Sequence, residues 1–265
     1  KVKVGGAIVF DEATGTNNKF LHRVIAVAGH EIQSFDNLYI NDEEVTIDED
    51  GEVTSPVQYA GKVRFKLHLG SPDQHADGYL VSESPKWTTS HRLRGIAYVY
   101  VRLKFDADAF PNGIPTITTV ASGKKVYDPR TGNTAYSNNP ALCLRDYLTS
   151  KYGLSEEAVN IDDVLISTAA NICDQTNTNA GTTRYTCNGA FTTASTPYDM
   201  ISELLKSMGG TLWYAQGKWR AKPAYWTDTV MDLGLDDFRS SISVNTRHSR
   251  RDNFNVIKGT FRGEE

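Results

Sequence analysis

The chain has 265 residues, with 28 basic and 32 acidic side chains, a formal net charge of −4 and a pI near 5.9. That size allows one large or two modest domains. The mild acidity argues against nucleic acid as the main partner, because phosphate binding needs a concentrated basic surface, and no apolar run approaches a bilayer span, so no membrane contact through this segment is expected.

In chain order, residues 7–10 predict a short apolar strand and Phe20–Ala28 a longer one, with a polar turn over 11–18 between them. Residues 38–41 and 44–47 alternate around an Asn41-Asp42 turn. Asp50-Gly51 is a second tight-turn signal, since glycine takes positive φ without steric cost. Residues 62–69 alternate between an apolar face and a basic or polar one, which predicts a half-solvated strand. Residues 70–90, with Pro72, Gly78 and Pro85, predict a long loop holding one short strand at most. Residues 95–105 are dense in β-branched and aromatic side chains and predict the strongest strand. A break follows over 106–113, then two further strands over 115–120 and 124–127.

After residue 127 the apolar period changes from two to about 3.6. Asn139-Pro140 caps a helix carrying Leu144, Leu148 and Tyr152, closed by Gly153. A second helix is expected over 161–174, with Asn160 as cap and Asp162 and Asp163 near the positive end of its dipole. Thr196 and Asp199 open a third, whose buried stripe is Ile201, Leu204, Leu205 and Met208 and whose stop is Gly209-Gly210. A hairpin follows, 211–214 and 218–221 about Gln216-Gly217, and residues 253–261 predict a last strand. The polar tip 177–181 is a site of expected mobility. The expected class is α+β: a β-rich module over 1–106 and a mixed α+β domain over 107–265.

The sequence has no phosphate loop, no G-x-S-x-G nucleophile elbow and no His-Glu-x-x-His motif. His22, His30, His68, His75, His91 and His248 are scattered singly, without metal-ligand spacing. Asp106 and Asp108 stand two apart, but they lead into a Pro/Gly turn, and a solvated turn is favoured over an acid–base pair. Asp162-Asp163 is explained by the helix dipole. The acidic run 48–52 lacks calcium-loop spacing and reads as a turn. Arg247, Arg250 and Arg251 read as a solvated strand entrance rather than a binding patch. No catalytic, cofactor-binding or metal residue is therefore assigned, no cofactor is implied, and the chain is not expected to be an enzyme. Three cysteines cannot make a disulfide framework: Cys143 reads as a buried apolar residue, and Cys173 and Cys187 flank a polar loop that allows them to lie close, as a reduced pair in cytosol. Trp213, Tyr214, Trp219, Tyr225 and Trp226 cluster on and after the hairpin. Packing of alternate rings on the third helix, with the others covering an interface, is favoured over a sugar-binding platform.

Several ordered runs carry a resemblance. They are residues 123–132 (GKKVYDPRTG), 137–148 (SNNPALCLRDYL), 170–174 (ANICD), 184–189 (RYTCNG) and 252–259 (DNFNVIKG), with a helix–Gly–hairpin block over 197–223. Together they resemble the phage tail-tip attachment proteins, the host-specificity family of lambda-like siphophages. The block 197–223 is similar to hub proteins of contractile tails as well. Residues 22–26 and 38–41 look like the β-module that precedes it in the same family. The resemblance implies a central hub that caps the tail tube, with a tube-protein-like β-sheet or barrel carrying helices. It implies a homotrimer in the virion, contacts with other tail-tip, tail-tube and tape-measure proteins, and host cytoplasm as the place of assembly. Receptor binding in that family belongs to a later region, and no catalytic residue transfers. Both ends of the chain read as cuts inside a longer polypeptide. The alternative expectation is a carbohydrate-binding module of a phage tail or cell-surface protein, motivated by the hairpin tryptophans.

Overall fold

The structure is a computed structural model that describes residues 2–177, 181–240 and 243. Residues up to 224 form one compact unit, and residues from 225 onward a second.

The first unit begins with strands β1 (Val2–Val4), β2 (Ala7–Thr14), β3 (Phe20–Ala28), β4 (Ile32–Ile40), β5 (Glu43–Ile47), β6 (Val53–Ser55) and β7 (Val63–His68). Helix α1 (Gly78–Glu83), β8 (Ala97–Lys104), β9 (Ile117–Asp128) and β10 (Asn133–Tyr136) follow. One antiparallel sheet has the order β1-β9-β4-β5-β6, with β10 extending β9, and the other the order β2-β3-β8-β7. The two sheets share one core. Leu38, Ile40, Val45, Val53 and Ile117 come from the first, and Ile25, Val63, Phe65, Val99, Val101 and Leu103 from the second. Ala109, Phe110 and β9 carry this core past residue 106. Among the described residues the sheets stay open, so the barrel named as one form of the expected fold is corrected to stacked open sheets within an α+β fold.

The turns follow their chemistry. Asn41 and Asp42 both take positive φ (50° and 67°), as a two-residue hairpin loop requires. Gly51 (φ 80°) lies against the Phe65 carbonyl, where a Cβ has no room.

Three expectations are corrected. The loop over 70–90 holds a helix, not a strand: Asp77 caps α1 by accepting from the Leu80 N–H at 2.8 Å, and Leu80 is fully buried. Six helical residues are too few to display a helical period in sequence. Strand β7 is less solvated than expected, since Arg64 on its polar side is buried beneath Glu83 and Tyr79 of α1, while Lys62, Lys66 and His68 stay partly exposed. The two strands expected over 115–127 are one, because the small residues Ala121 and Ser122 pair in register with Phe35 and Ser34 of β4.

The helical part packs on the far end of β9. Helices α2 (Pro140–Thr149), α3 (Asp163–Cys173) and α4 (Pro197–Lys206) enclose a second core, in order with the short strands β11 (Thr176–Asn177) and β12 (Thr182–Thr183) and the hairpin β13 (Thr211–Ala215) and β14 (Lys218–Lys222). Val126, Leu142, Leu144, Leu148, Ile166, Leu204, Met208 and Ala221 fill that core. Asn139 caps α2, and Thr196 caps α4 by accepting from the Asp199 N–H at 3.2 Å. Asp162, not Asn160, caps α3. Helix α2 ends at Thr149, so Tyr152 is exposed; Gly153 is required because a Cβ there meets the Tyr147 carbonyl.

In the second unit, Asp237 accepts from the Gly234 N–H at 2.8 Å around a turn at Leu235–Asp237. The expected strand 253–261 and the basic cluster 247–251 lie outside the described residues.

Candidate functional site

Residues of three of the motif runs, 123–132, 137–148 and 170–174, meet at one junction. The β9–β10 turn closes with the Gly132 N–H donating to the Asp128 carbonyl at 2.8 Å, and the Asp128 carboxylate accepts from the Arg130 N–H at 2.9 Å. This folds the Arg130 side chain back onto Asp128, with Nε and Nη2 donating at 2.9 and 2.8 Å. Its remaining Nη1 reaches the end of α3, donating to Asp174 at 2.7 Å and Asn171 at 3.0 Å. Asn139 joins from α2. Its Oδ1 accepts from the Ala141 N–H at 3.0 Å, while its Nδ2 donates to the Ala170 carbonyl at 2.9 Å and to Asp174 at 2.8 Å. One buried amide thus caps the start of α2 and adds a second donor to the Ala170 carbonyl of α3, which already accepts from the Asp174 N–H at 3.0 Å. The Asp128 carboxyl is held below the usual range, chiefly by the Arg130 hydrogen bonds, and the Arg130 guanidinium is pushed up chiefly by the same pair. Nearby, Lys124 donates to Asp146 at 2.7 and 2.8 Å. Arg145 forks onto Asp163 at 2.7 and 2.9 Å while lying over the Tyr127 ring.

A second polar cluster lies on the outer face of β3, β8 and β7, beneath α1. Arg64 and Arg102 are directly opposed cross-strand neighbours, a repulsive pairing by itself. Glu83 of α1 resolves it, accepting from Arg64 at 2.6 Å and Arg102 at 3.3 Å, and Glu52 accepts from Arg102 at 2.9 Å. His22, fully buried, bridges the Tyr100 hydroxyl at 2.8 Å and Thr14 at 2.7 Å. Burial lowers its pKa, outweighing the nearby Glu83 carboxylate. Ser84 donates to Glu12, and His68 meets Asp77 at 2.8 Å while stacking on Tyr98. Glu83, Ser84 and Asp77 tie α1 and its flanks to the sheet, while His22 bonds strands β2, β3 and β8 to one another. The sequence reading missed this cluster. Its only signal was the alternation of Tyr98, Tyr100 and Arg102 with Arg64, Lys66 and His68, which marks a polar face without saying what covers it.

The other candidates fall apart as sites. Asp106 closes its turn by accepting from the Asp108 and Ala109 N–H groups (3.1 and 2.9 Å) and pairs with Lys62 at 3.0 Å, so it does not face Asp108 across a cleft. Asp162 pairs with Arg220 at 3.0 Å and Asp163 with Arg145. Asp48 accepts from the Glu52 N–H at 2.9 Å, closing a turn. No group of three metal-ligating side chains occurs among the described residues, and no helix there is long and apolar enough to cross a membrane. On the hairpin, Trp219 turns with Leu212 and Ala221 into the helical core, and Tyr214 meets it edge-on at 5.2 Å. Trp213 lies on the opposite face beside Arg220, so the rings form no common platform. Cys187 packs at the edge of the helical core that contains Cys173, and its N–H donates to the Asn138 carbonyl at 2.8 Å, which also sets it beside the start of α2 and Cys143.

No family model matches the chain, and no curated protein matches it. Among solved structures it is similar to a chain of the virion of a native gene transfer agent particle, at 18% identity and a TM-score of 0.34. The match covers 46% of this chain and 25% of that one, so this chain spans about a quarter of its length. A likeness of that extent carries no argument about function.

Proposed function

We propose that the chain is a structural part of a phage or prophage tail tip, within the central hub that caps the tail tube and links it to the host-recognition region. It acts there as a homotrimer among other tail-tip, tail-tube and tape-measure proteins, after assembly in the host cytoplasm, and carries no catalytic step. The observation that supports this most is the convergence of the motif residues. Asp128, Arg130, Asn139, Asn171 and Asp174, drawn from three separate runs, bond to one another at one junction. A chance likeness in scattered runs has no reason to interlock in space.

The surface supports the same reading. Strand β2 is the outer strand of its sheet and exposes Ile8 and Val9, with Val9 standing at a register shift against β3. Phe105, Val57, Val164 and Trp226 are exposed apolar residues elsewhere. Open strand edges and scattered apolar contacts suit a ring-building subunit, which buries them against its neighbours. The carbohydrate-binding alternative is weakened on the hairpin, where Trp219 packs against the helical core and Trp213 lies on the opposite face.

The test is peptide mass spectrometry of purified particles together with sedimentation of the full-length protein. The reading expects peptides of this chain in the particles and a trimer in solution. A full-length protein that stays monomeric at every concentration and is missing from the particles would overturn it.

A further inference from the structure

Cys143 on α2 and Cys187 on the segment after β12 are half-buried neighbours at the edge of the helical core. The backbone brings them together independently of their thiols. The Cys187 N–H donates to the Asn138 carbonyl at 2.8 Å, and the Cys143 Sγ lies 3.5 Å from the adjoining Ser137 carbonyl. Both side chains pack against the same edge of the helical core, over the Ser137-Asn138 turn that opens α2. Cys173 stands apart from this pair chemically, being fully buried on α3. At the start of the segment 184–189 the Arg184 N–H donates to the Gln175 carbonyl at 2.7 Å, the Tyr185 N–H to the Cys173 carbonyl at 3.1 Å, and the Tyr185 hydroxyl to the Ala224 carbonyl at 2.8 Å.

We propose that Cys143 and Cys187 form an oxidation-dependent disulfide that pins the segment 184–189 to the start of α2. The oxidant class is a small-molecule disulfide such as oxidised glutathione. The Cys187 thiolate attacks one sulfur of that disulfide, forming a mixed disulfide and releasing one small thiol. Cys143 then gives up its proton, and its thiolate attacks the Cys187 sulfur, releasing the second small thiol. Two protein thiols are oxidised, one small disulfide is reduced to two thiols, and the two protons lost by the protein balance those gained by the leaving groups. The hydrogen bond from Cys143 lowers the Cys187 pKa against the effect of burial, which favours Cys187 as the first nucleophile. Burial pushes Cys173 up to about 11, which disfavours it in the exchange. This inference does not depend on the tail-tip reading, because it uses only the geometry of the thiols.

The test is incubation of the purified chain with oxidised glutathione, followed by alkylation under denaturing conditions and non-reducing peptide mapping. The expected result is loss of two of the three alkylatable thiols and one cross-linked peptide joining Cys143 to Cys187. Cys173→Ser should leave that cross-link in place, which keeps the test valid if a Cys143 or Cys187 variant folds poorly. Cleavage by trypsin after Arg184 should slow on oxidation in the parent chain and stay unchanged in Cys187→Ser. Three thiols still alkylated, a stable glutathione adduct on Cys187 without the internal bond, or a cross-link through Cys173 would overturn the proposal.

Discussion

Replacing Arg130 with alanine tests the junction most sharply. The side chain is 22% exposed, and its Nη1 makes the only Arg130 bonds that cross to α3, at 2.7 and 3.0 Å. A shielded charged hydrogen bond contributes about 1.5–3 kcal/mol, and an exposed ion pair about 0.2–1. Asp174 is 47% exposed, so its bond belongs near the lower range. Adding the Asn171 bond and the Asp128 carboxylate left without its guanidinium gives about 2 kcal/mol for the substitution. For a domain of this size that corresponds to a fall in Tm of about 4–8 °C, read by scanning calorimetry. Arg130→Lys should recover only part of it, because an ammonium cannot fork between Asp128 and Asp174. The pH dependence has a definite sign. Asp128 is depressed in the folded chain, so its contribution is present above the ordinary aspartate value and lost as pH falls through the folded one. Parent and Arg130→Ala should therefore converge below about pH 4. An Arg130→Ala chain that melts within about 1 °C of the parent at neutral pH would refute the junction as a source of stability.

Three further outcomes follow from the same structure. His22 is neutral and buried, so unfolding lets it take up a proton; stability should fall as pH drops below about 6.5, and His22→Gln should flatten that slope in urea titrations. The groups facing His22 are Thr14, Tyr100 and Glu83, with Glu12, Arg64 and Arg102 near it, and the slope is read as the difference between parent and variant. Leu80→Ala empties the seat of α1 against the sheet and should cost about 2–5 kcal/mol by denaturant unfolding, with protection from hydrogen exchange lost over α1. Trp219→Ala should lower Tm and Trp226→Ala should leave it unchanged, since Trp219 packs in the helical core and Trp226 is exposed; equal effects would contradict the ring placement.

Elements whose period spans several turns were legible from the sequence. The stripe Leu204 to Met208 and the cap at Thr196 gave α4, and the apolar run Phe20–Ala28 gave β3 with its observed bounds. What failed was set by tertiary contact. Helix α1 is one capped turn and a half that stands because Leu80 is buried and Glu83 lies between two arginines from different strands. The interior of β9 lacks β-branched residues over Ala121 to Gly123, and it is the β4 edge, not propensity, that keeps it extended. The junction was half legible. Asn139 announced itself as a cap, but its second role, tying α2 to the Ala170 carbonyl and the Asp174 carboxylate of α3, required knowing that Ala170 lies beside it. The Cys143–Cys187 neighbourhood was hidden for the same reason, because the loop before 187 gives no length signal for where it returns.

The tail-tip reading is tested most directly by locating the chain in the particle. Antibodies raised against residues 1–224, applied to purified particles and viewed by negative-stain electron microscopy, should place gold at one end of the tail, and only there. Gold on the capsid, gold spread along the tail, or unlabelled particles from a lysate that contains the protein would contradict a hub that caps the tube.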